Sequence, residues 1–259
     1  MADAFFAPEG DRFVPSELTR GPWDPHSQHA GPPAALIGRA IELCGDADGK
    51  QVGRVTFEIL RPVPIEPLTV EARVVRPGRS VELLEAELSR EGEVLVRATA
   101  WRLRTQPVTL DPAPPADPPP PGPATAGSRD FFPTGMDVGY HTAMEYRFVE
   151  GEFLRAGPAT VWMRMRCPLV EGEAPTPLQR VLVAADSGNG VSAALDWRRF
   201  LFINTDLSVH LHRMPSGEWV CLDARTFPEE NGVGLADTAL YDERGRIGRG
   251  AQTLLVRER

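Results

Sequence analysis

The amino-acid sequence predicts an α+β fold in which one unit, a central helix wrapped by an antiparallel sheet, occurs twice. Each half of the chain contains a largely apolar helical segment followed by four strand-like segments, and a proline-rich segment separates the two series. We therefore expect an N-terminal unit over residues 1–106, a connector over 107–129 and a C-terminal unit over 130–259.

In the first half, the predicted helix covers residues 34–44, where apolar side chains from Leu36 to Cys44 recur at helical spacing. Gly45 and Asp46 then end the helix. Turn residues recur about every dozen positions after it, which is typical of an antiparallel meander. The four predicted strands are residues 54–61, 68–75, 80–89 and 94–103.

The connector contains the run P-A-P-P-A-D-P-P-P-P-G-P. Proline has no backbone N–H, so this composition leaves too few donors for a sheet. We expect residues 107–128 to lack regular secondary structure and to lie on the surface as a stiff linker. A proline-rich recognition site is the alternative interpretation.

The helix of the second half has stronger signals. Thr176 can be its N-cap, Pro177 suits the first helical position, and Gln179 completes a capping box. We expect the helix to run over 177–187 and to end at Gly188 to Gly190 in a left-handed conformation. Strands are predicted before it at 139–151 and 159–166, and after it at 200–213, 218–227, 233–242 and 247–257.

Asp186 is the carboxylate in this otherwise apolar helical segment. An ionised carboxylate in apolar surroundings is costly, and a carboxylate in such surroundings is a candidate general base. The alternative is that Asp186 caps the turn formed by S-G-N-G, a common role for aspartate.

The composition limits the classes of function. The formal net charge is −8 and the chain has no basic block, which argues against nucleic-acid binding. The three cysteines, Cys44, Cys167 and Cys221, show no metal or disulfide spacing, as expected in a reducing cytoplasm. No run approaches the roughly 20 apolar residues of a membrane span. We expect a cytoplasmic protein without a membrane span.

A helix wrapped by an antiparallel sheet is the hotdog arrangement, and two in one chain form a double hotdog. The sequence resembles the type II acyl-CoA thioesterase family of double-hotdog proteins over nearly its whole length outside the connector. The residues that carry the resemblance are A-A-D-S-G, F-I-N-T-D-L-S-V-H-L-H-R and R-G-A-Q-T-L-L-V.

In that family an Asp, a Thr or similar polar residue, and a Gln activate a water molecule. The resemblance places these roles on Asp186, Asn204 and Gln252, with no metal and no cofactor. Asn204 in place of Thr is a departure from the family pattern, although Asn both donates and accepts hydrogen bonds. Thr205 is adjacent, but a shift of one residue turns a strand side chain to the other face. A buried Gln252 bonded only to the backbone is the structural alternative.

The resemblance implies hydrolysis of acyl-CoA or a related acyl thioester, a place in fatty acid metabolism and a homo-oligomer. A non-catalytic protein that binds acyl thioesters or lipids is an alternative. A second is a hydratase or dehydratase, which typically uses an Asp–His pair near a helix start, and the helix at Pro177 offers none. His26 and His29 are expected to be structural or to line a pocket. His210 and His212 share one strand face, but no third metal ligand is evident.

Overall fold

The computed structural model describes residues 4–113, 115, 117–131 and 133–259. In these residues the chain forms a 13-stranded antiparallel sheet with few helices. A short 3₁₀ turn covers Glu17–Thr19. The helices are α1 (Gly31–Leu43), α2 (Tyr140–Ala143), α3 (Pro177–Ala185) and α4 (Gly188–Val191). The strands are β1 (Phe6–Glu9), β2 (Arg12–Pro15), β3 (Lys50–Ile59), β4 (Leu68–Arg76), β5 (Val81–Arg90), β6 (Glu93–Arg104), β7 (Met144–Glu152), β8 (Arg155–Met165), β9 (Phe200–Asn204), β10 (Asp206–Leu211), β11 (Val220–Pro228), β12 (Val233–Asp242) and β13 (Gly245–Glu258).

The strands of each half follow the same order from the edge of the sheet to its centre, when β9 and β10 are counted as one strand. It runs β1-β2-β4-β5-β6-β3-β10-β13-β12-β11-β8-β7, with β9 paired to β13 beside this path. The two halves meet where β3 and β10 pair antiparallel, and Thr56 lies opposite Ser208. Their hydroxyl oxygens are 3.1 Å apart at this central position.

Helices α1 and α3 pack against each other in antiparallel directions. The start of α1 at Gly31 lies against the Val183 carbonyl near the end of α3. At the other end of the pair, the Thr176 hydroxyl donates to the Glu42 carboxylate at 2.8 Å. The close approach needs glycine at position 31, because a Cβ atom there would overlap the Val183 carbonyl oxygen. This packing brings the N-terminus of α1 to the C-terminus of α3.

The predicted strand over residues 200–213 is divided into two. A bend at Thr205 separates β9, which pairs with residues 254–258 of β13, from β10, which pairs with residues 248–251. The predicted strand at 139–151 likewise begins with the short helix α2. Helix α1 begins three residues before the predicted position, with Pro32 and Pro33 in its first turn, where proline is well tolerated.

The prediction of a left-handed end at Gly188 to Gly190 was wrong. Neither Gly188 nor Gly190 has a positive φ angle, and the chain continues into the single helical turn α4. Glycine is required at position 188 for a different reason. A Cβ atom there would overlap the Thr238 hydroxyl and come within 3.3 Å of the Gln252 side-chain oxygen.

The described residues of 107–128 form no helix and no strand, and Gly127 makes a single bridge to Phe148. Pro114 and Ala116, which belong to the predicted linker, lie outside the described residues. The Trp162 indole N–H donates to the Pro121 carbonyl at 2.8 Å, so the end of this segment lies against β8. None of the described helices is long and apolar enough to span a membrane.

Candidate functional site

Asp186 follows directly after the last residue of α3. The Thr176 hydroxyl and the Gln179 side chain form the capping box that begins the helix, and residues 181–185 are buried. Asp186 itself is only 8% exposed. The capped, buried helix therefore fixes the position of this carboxylate.

The structure brings together the three residues that the resemblance singled out. Asp186 Oδ1 accepts hydrogen bonds from Asn204 Nδ2 at 2.9 Å and from Gln252 Nε2 at 3.2 Å. Asn204 is the last residue of β9, at the bend before β10, while Gln252 lies within β13. A helix and two strands thus supply the three groups. A turn cap would accept a hydrogen bond from the backbone of residues 188–190. Within the described part of the chain, the carboxylate of Asp186 accepts no such bond.

Gln252 is held from both ends of its amide. Its Nε2 also donates to the Asp186 carbonyl at 3.1 Å, and its Oε1 accepts from the Asn189 backbone N–H at 3.0 Å. The side chain is 2% exposed, and it is not part of the cavity wall described below. Gln252 therefore contacts the Asp186 carboxylate from outside the cavity wall and fixes the backbone from Asp186 to Asn189.

His29 completes the surroundings of the carboxylate. Its Nδ1 lies 3.2 Å from Asp186 Oδ2 and also accepts the Gly31 backbone N–H at 3.1 Å. The sequence predicted only a structural or pocket-lining role for His29, and the helix start at Pro177 offers no Asp–His pair. The pair forms between two helices, with His29 just before α1 and Asp186 just after α3. The only local signal is a histidine directly before the A-G-P-P helix start.

Burial lowers the pKa of His29, and the nearby Asp186 carboxylate offsets part of this effect. The imidazole ring stacks on Tyr140, with ring centroids 3.7 Å apart and planes 8° from parallel. The Tyr140 hydroxyl is bonded to the Val183 carbonyl at 2.7 Å and lies 2.9 Å from Ser187 Oγ. Burial also raises the pKa of Tyr140, so the phenol stays protonated and anchors the stacked rings.

A cavity of about 420 Å³ opens in front of these groups. Three of its lining residues are Asp186, His29 and Asn204. Residues 59–63, which begin at the last residue of β3, and residues 21–24, in the loop before α1, also line it. Both halves of the chain thus contribute to one cavity. Its volume lies within the range of about 300–1,000 Å³ that is typical of small-molecule sites.

Aromatic side chains form a large part of the cavity wall. The rings of Phe131 and Phe153 lie 4.4 Å apart, and Tyr146 packs edge-on against Phe153 at 5.1 Å. Trp23 and Phe202 form another edge-on pair at 5.8 Å in the same wall. This lining suits an apolar ligand group next to a small number of polar groups.

The other histidines that the sequence suggested do not line this cavity. His26, His210 and His212 are exposed. Among the described residues, no group of three or more His, Cys, Asp or Glu side chains is arranged to hold a metal ion.

Comparison with family models gives two matches that cover most of the chain. Residues 19–103 match the acyl-CoA thioesterase N-terminal domain, and residues 110–256 match the acyl-CoA thioesterase C-terminal domain. A search of curated protein sequences gave no significant match.

Solved structures show the same hotdog fold. A putative thioesterase II from Thermobifida fusca has a TM-score of 0.76 and 18% identity, covering 96% of this chain and 93% of that one. A hot dog protein of unknown function from Alicyclobacillus acidocaldarius has a TM-score of 0.75 and 16% identity, covering 98% and 97%. A tesB protein from Mycobacterium avium subsp. paratuberculosis has a TM-score of 0.67 and 17% identity, covering 97% and 96%.

Proposed function

Because the chain belongs to the acyl-CoA thioesterase family, we propose that it hydrolyses acyl-CoA, or a related acyl thioester, to a carboxylic acid and a free thiol. The observation that carries this proposal is the Asp186 carboxylate, which is held by two amide side chains at the wall of an apolar cavity. Such a fixed carboxylate can take a proton from a water molecule that attacks a thioester carbonyl beside it.

Asn204 is the residue that would orient this water with Asp186. Its Nδ2 donates to Asp186 Oδ1 and to the Asp206 carbonyl, at 2.9 and 3.2 Å. Within the described residues, no protein group donates to its Oδ1, so this oxygen can accept the second proton of the water. A water between Asp186 and Asn204 would then have its lone pair free for attack.

Gln252 would act on Asp186 rather than on the water. Both of its amide ends are already bonded to the backbone or carboxylate of residues 186–189. The role given to it from the resemblance is therefore refined to positioning the base. No covalent intermediate is needed for this reaction.

The acyl group would lie in the aromatic part of the cavity, and the CoA arm would extend out of the cavity past the loop that contains Trp23. The apolar rings of Phe131 and Phe153 carry no hydrogen-bonding groups that an acyl chain would leave unpaired. Asp186, His29 and Asn204 line the same cavity, so the thioester would react beside them.

We further propose that the chain is a tandem double hotdog with units over residues 1–106 and 130–259. The support is the strand order, which is the same from both edges, and the meeting of the two halves at Thr56 and Ser208. Each half has one principal helix, α1 or α3, and a three-stranded meander, β4-β5-β6 or β11-β12-β13. The strand between the helix and the meander, β3 or β10, pairs with the last strand of the meander instead of the first, so the four strands do not form the continuous meander that the sequence predicted.

We also propose a homo-oligomer. Exposed apolar side chains lie on neighbouring strands of one sheet face: Phe227 is 46% exposed, Val233 52%, Leu235 41% and Leu255 44%. A second copy that covers them would remove this apolar surface from water. Light scattering that gives a monomer mass at micromolar concentrations would contradict this proposal.

The Asp186–His29 contact favours a second candidate function, a hydratase or dehydratase acting on the same thioesters. The two candidates differ in product. A hydratase would add water to an enoyl-CoA and leave the thioester intact, whereas a thioesterase releases the thiol.

The experiment that tests the proposed function is a thiol-release assay over saturated acyl-CoAs, with loss of enoyl absorbance followed in parallel. We expect thiol release from saturated substrates. Hydration of enoyl-CoA without thiol release would support the second candidate. Binding of acyl-CoA with neither reaction would support the non-catalytic binding protein.

A further inference from the structure

We propose that His29 passes the proton of the attacking water to the sulfur of the leaving thiol, so that it is the acid of the reaction. This inference rests on the proposed function, because it assigns a role within thioester hydrolysis. It comes from the two contacts that His29 Nδ1 makes and from the position of the ring in the cavity wall.

The first contact sets the tautomer of the imidazole. The Gly31 backbone N–H donates to Nδ1 at 3.1 Å, so Nδ1 carries a lone pair. In a neutral imidazole the proton is then on Nε2. The ring lines the cavity and its side chain is 14% exposed, so this N–H is available to a bound ligand.

The second contact links the ring to the base. Nδ1 lies 3.2 Å from Asp186 Oδ2. Nδ1 has a single lone pair, which the Gly31 N–H also uses, and an ionised Asp186 has no proton to offer it. Once Oδ2 has taken a proton from water, the two atoms are close enough for an O–H···N hydrogen bond. The geometry therefore allows a proton to pass from Oδ2 to Nδ1, which then no longer accepts the Gly31 N–H.

The surroundings keep His29 neutral and fixed before the reaction. Burial lowers its pKa, so the ring does not carry a charge of its own near neutral pH. The stacked Tyr140 ring, which is anchored to the Val183 carbonyl, prevents the imidazole from turning. The ring can thus accept a proton on one side and release one on the other.

Water attacks the carbonyl carbon, a C–O bond forms, and the proton of the water goes to Asp186 Oδ2. As the intermediate collapses, the C–S bond breaks with its electron pair on sulfur. Nε2 of His29 gives its proton to that sulfur while Nδ1 receives the proton from Oδ2. Asp186 is again ionised, His29 is neutral with its proton on Nδ1, and exchange with water restores the first tautomer.

Sulfur needs this proton when the thiol is a weak acid. An alkyl thiol such as that of CoA has a pKa similar to that of free cysteine, about 8.5. Its thiolate would be both basic and poorly solvated next to an apolar wall. An aryl thiol is much more acidic and leaves as a thiolate without protonation. The requirement for His29 should therefore depend on the leaving group.

The test uses His29→Gln with two substrates that share one acyl group, the CoA thioester and an aryl thioester. Gln can accept the Gly31 N–H but cannot carry the proton across. We expect kcat to fall about 10²-fold or more with the CoA thioester, and less than about tenfold with the aryl thioester. His212→Gln, at an exposed histidine outside the cavity wall, is the control and should leave both rates unchanged.

Equal losses with both substrates, or no loss, would overturn the proposal, because a merely structural role does not distinguish leaving groups. Should His29→Gln fail to fold, the unaltered protein gives a second test: its rate should change little across thiols of rising acidity if sulfur is protonated. A steep rise with acidity would overturn the proposal. If the unaltered protein hydrolyses neither thioester, the proposed function itself fails.

Discussion

The α-carbon of Gly31 lies directly against the carbonyl oxygen of Val183, so helices α1 and α3 touch backbone to backbone at this point. This contact lies next to the Asp186–His29 pair, since His29 precedes Gly31 by two residues and Asp186 follows Val183 by three. The distance between the two helices thus sets the geometry of the site.

We expect Gly31→Ala to destabilise the fold by about 1–3 kcal/mol, because the added methyl group meets a backbone atom that cannot rotate away. Urea unfolding measures the change. Gly38→Ala is the matched control: its methyl group would meet the terminal methyl of Leu182, a flexible side chain that can move. Equal stability of Gly31→Ala and the unaltered protein would contradict the observed helix contact.

Asn204→Ala should lower kcat by about tenfold or more and leave KM nearly unchanged, since the amide acts on the attacking water and not on the acyl group. Thr205→Ala distinguishes the two possible registers and should have the smaller effect. Steady-state kinetics on one acyl-CoA measures both. A larger loss of kcat for Thr205→Ala would move the role to the neighbouring residue.

Phe153→Ala should shift the preferred acyl chain to greater length, because it removes a ring from the aromatic wall of the cavity. The ratio of kcat/KM between a long and a short acyl-CoA measures the shift. Leu154→Ala provides the control, as its neighbouring side chain is 56% exposed. An unchanged ratio for Phe153→Ala would place the acyl chain elsewhere.

A buried ion cluster at the end of α1 gives a prediction for stability. Arg102, 1% exposed, pairs with Glu82 and donates to the carbonyls of Ile41 and Cys44 at 3.1 and 2.9 Å. Lys50 Nζ lies 2.9 Å from the other oxygen of Glu82. Glu82→Gln should cost about 3–5 kcal/mol, because it leaves Arg102 buried without its counter-charge. Glu85→Gln, in the exposed pair with Arg73, should cost under about 1 kcal/mol.

The same cluster sets a dependence on pH. Burial acts to raise the pKa of Glu82, but hydrogen bonds and charges from Lys50 and Arg102 outweigh it, so the pKa is lowered. A carboxyl group with a lowered folded-state pKa stabilises the protein above its unfolded pKa, here the ordinary 4.5. We expect this contribution to be lost as the pH falls below that value, and to be absent from Glu82→Gln. Unfolding free energies measured across acid pH check it.

Much of the fold could be predicted from the sequence because each element carries its own local signal. The capping box at Thr176 and the alternating strands are visible in short windows, and they lie close to their predicted positions. The grouping of Asn204 and Gln252 with Asp186 could also be predicted, although from a family resemblance and not from spacing.

The features that sequence reasoning missed depend on tertiary contacts. His29 meets Asp186 only because two helices pack antiparallel, and no short window contains both residues. Thr205 interrupts a segment that the sequence predicts as one strand, since β13 pairs with its two parts at separate positions. Glycine is required at position 188 because Thr238 and Gln252 leave too little space for a Cβ atom. Local sequence rules for helix ends do not take such tertiary neighbours into account.

The most direct test of the account is the rate of thiol release by Asp186→Asn. This variant keeps the shape of the side chain but removes the group proposed to take the proton of the water. Asp48→Asn, at an exposed position, is the matched control. We expect Asp186→Asn to fold normally, to bind acyl-CoA, and to lose about 10²–10⁴-fold in kcat. Hydrolysis by Asp186→Asn at the rate of the unaltered protein would contradict the assignment of Asp186 as the base.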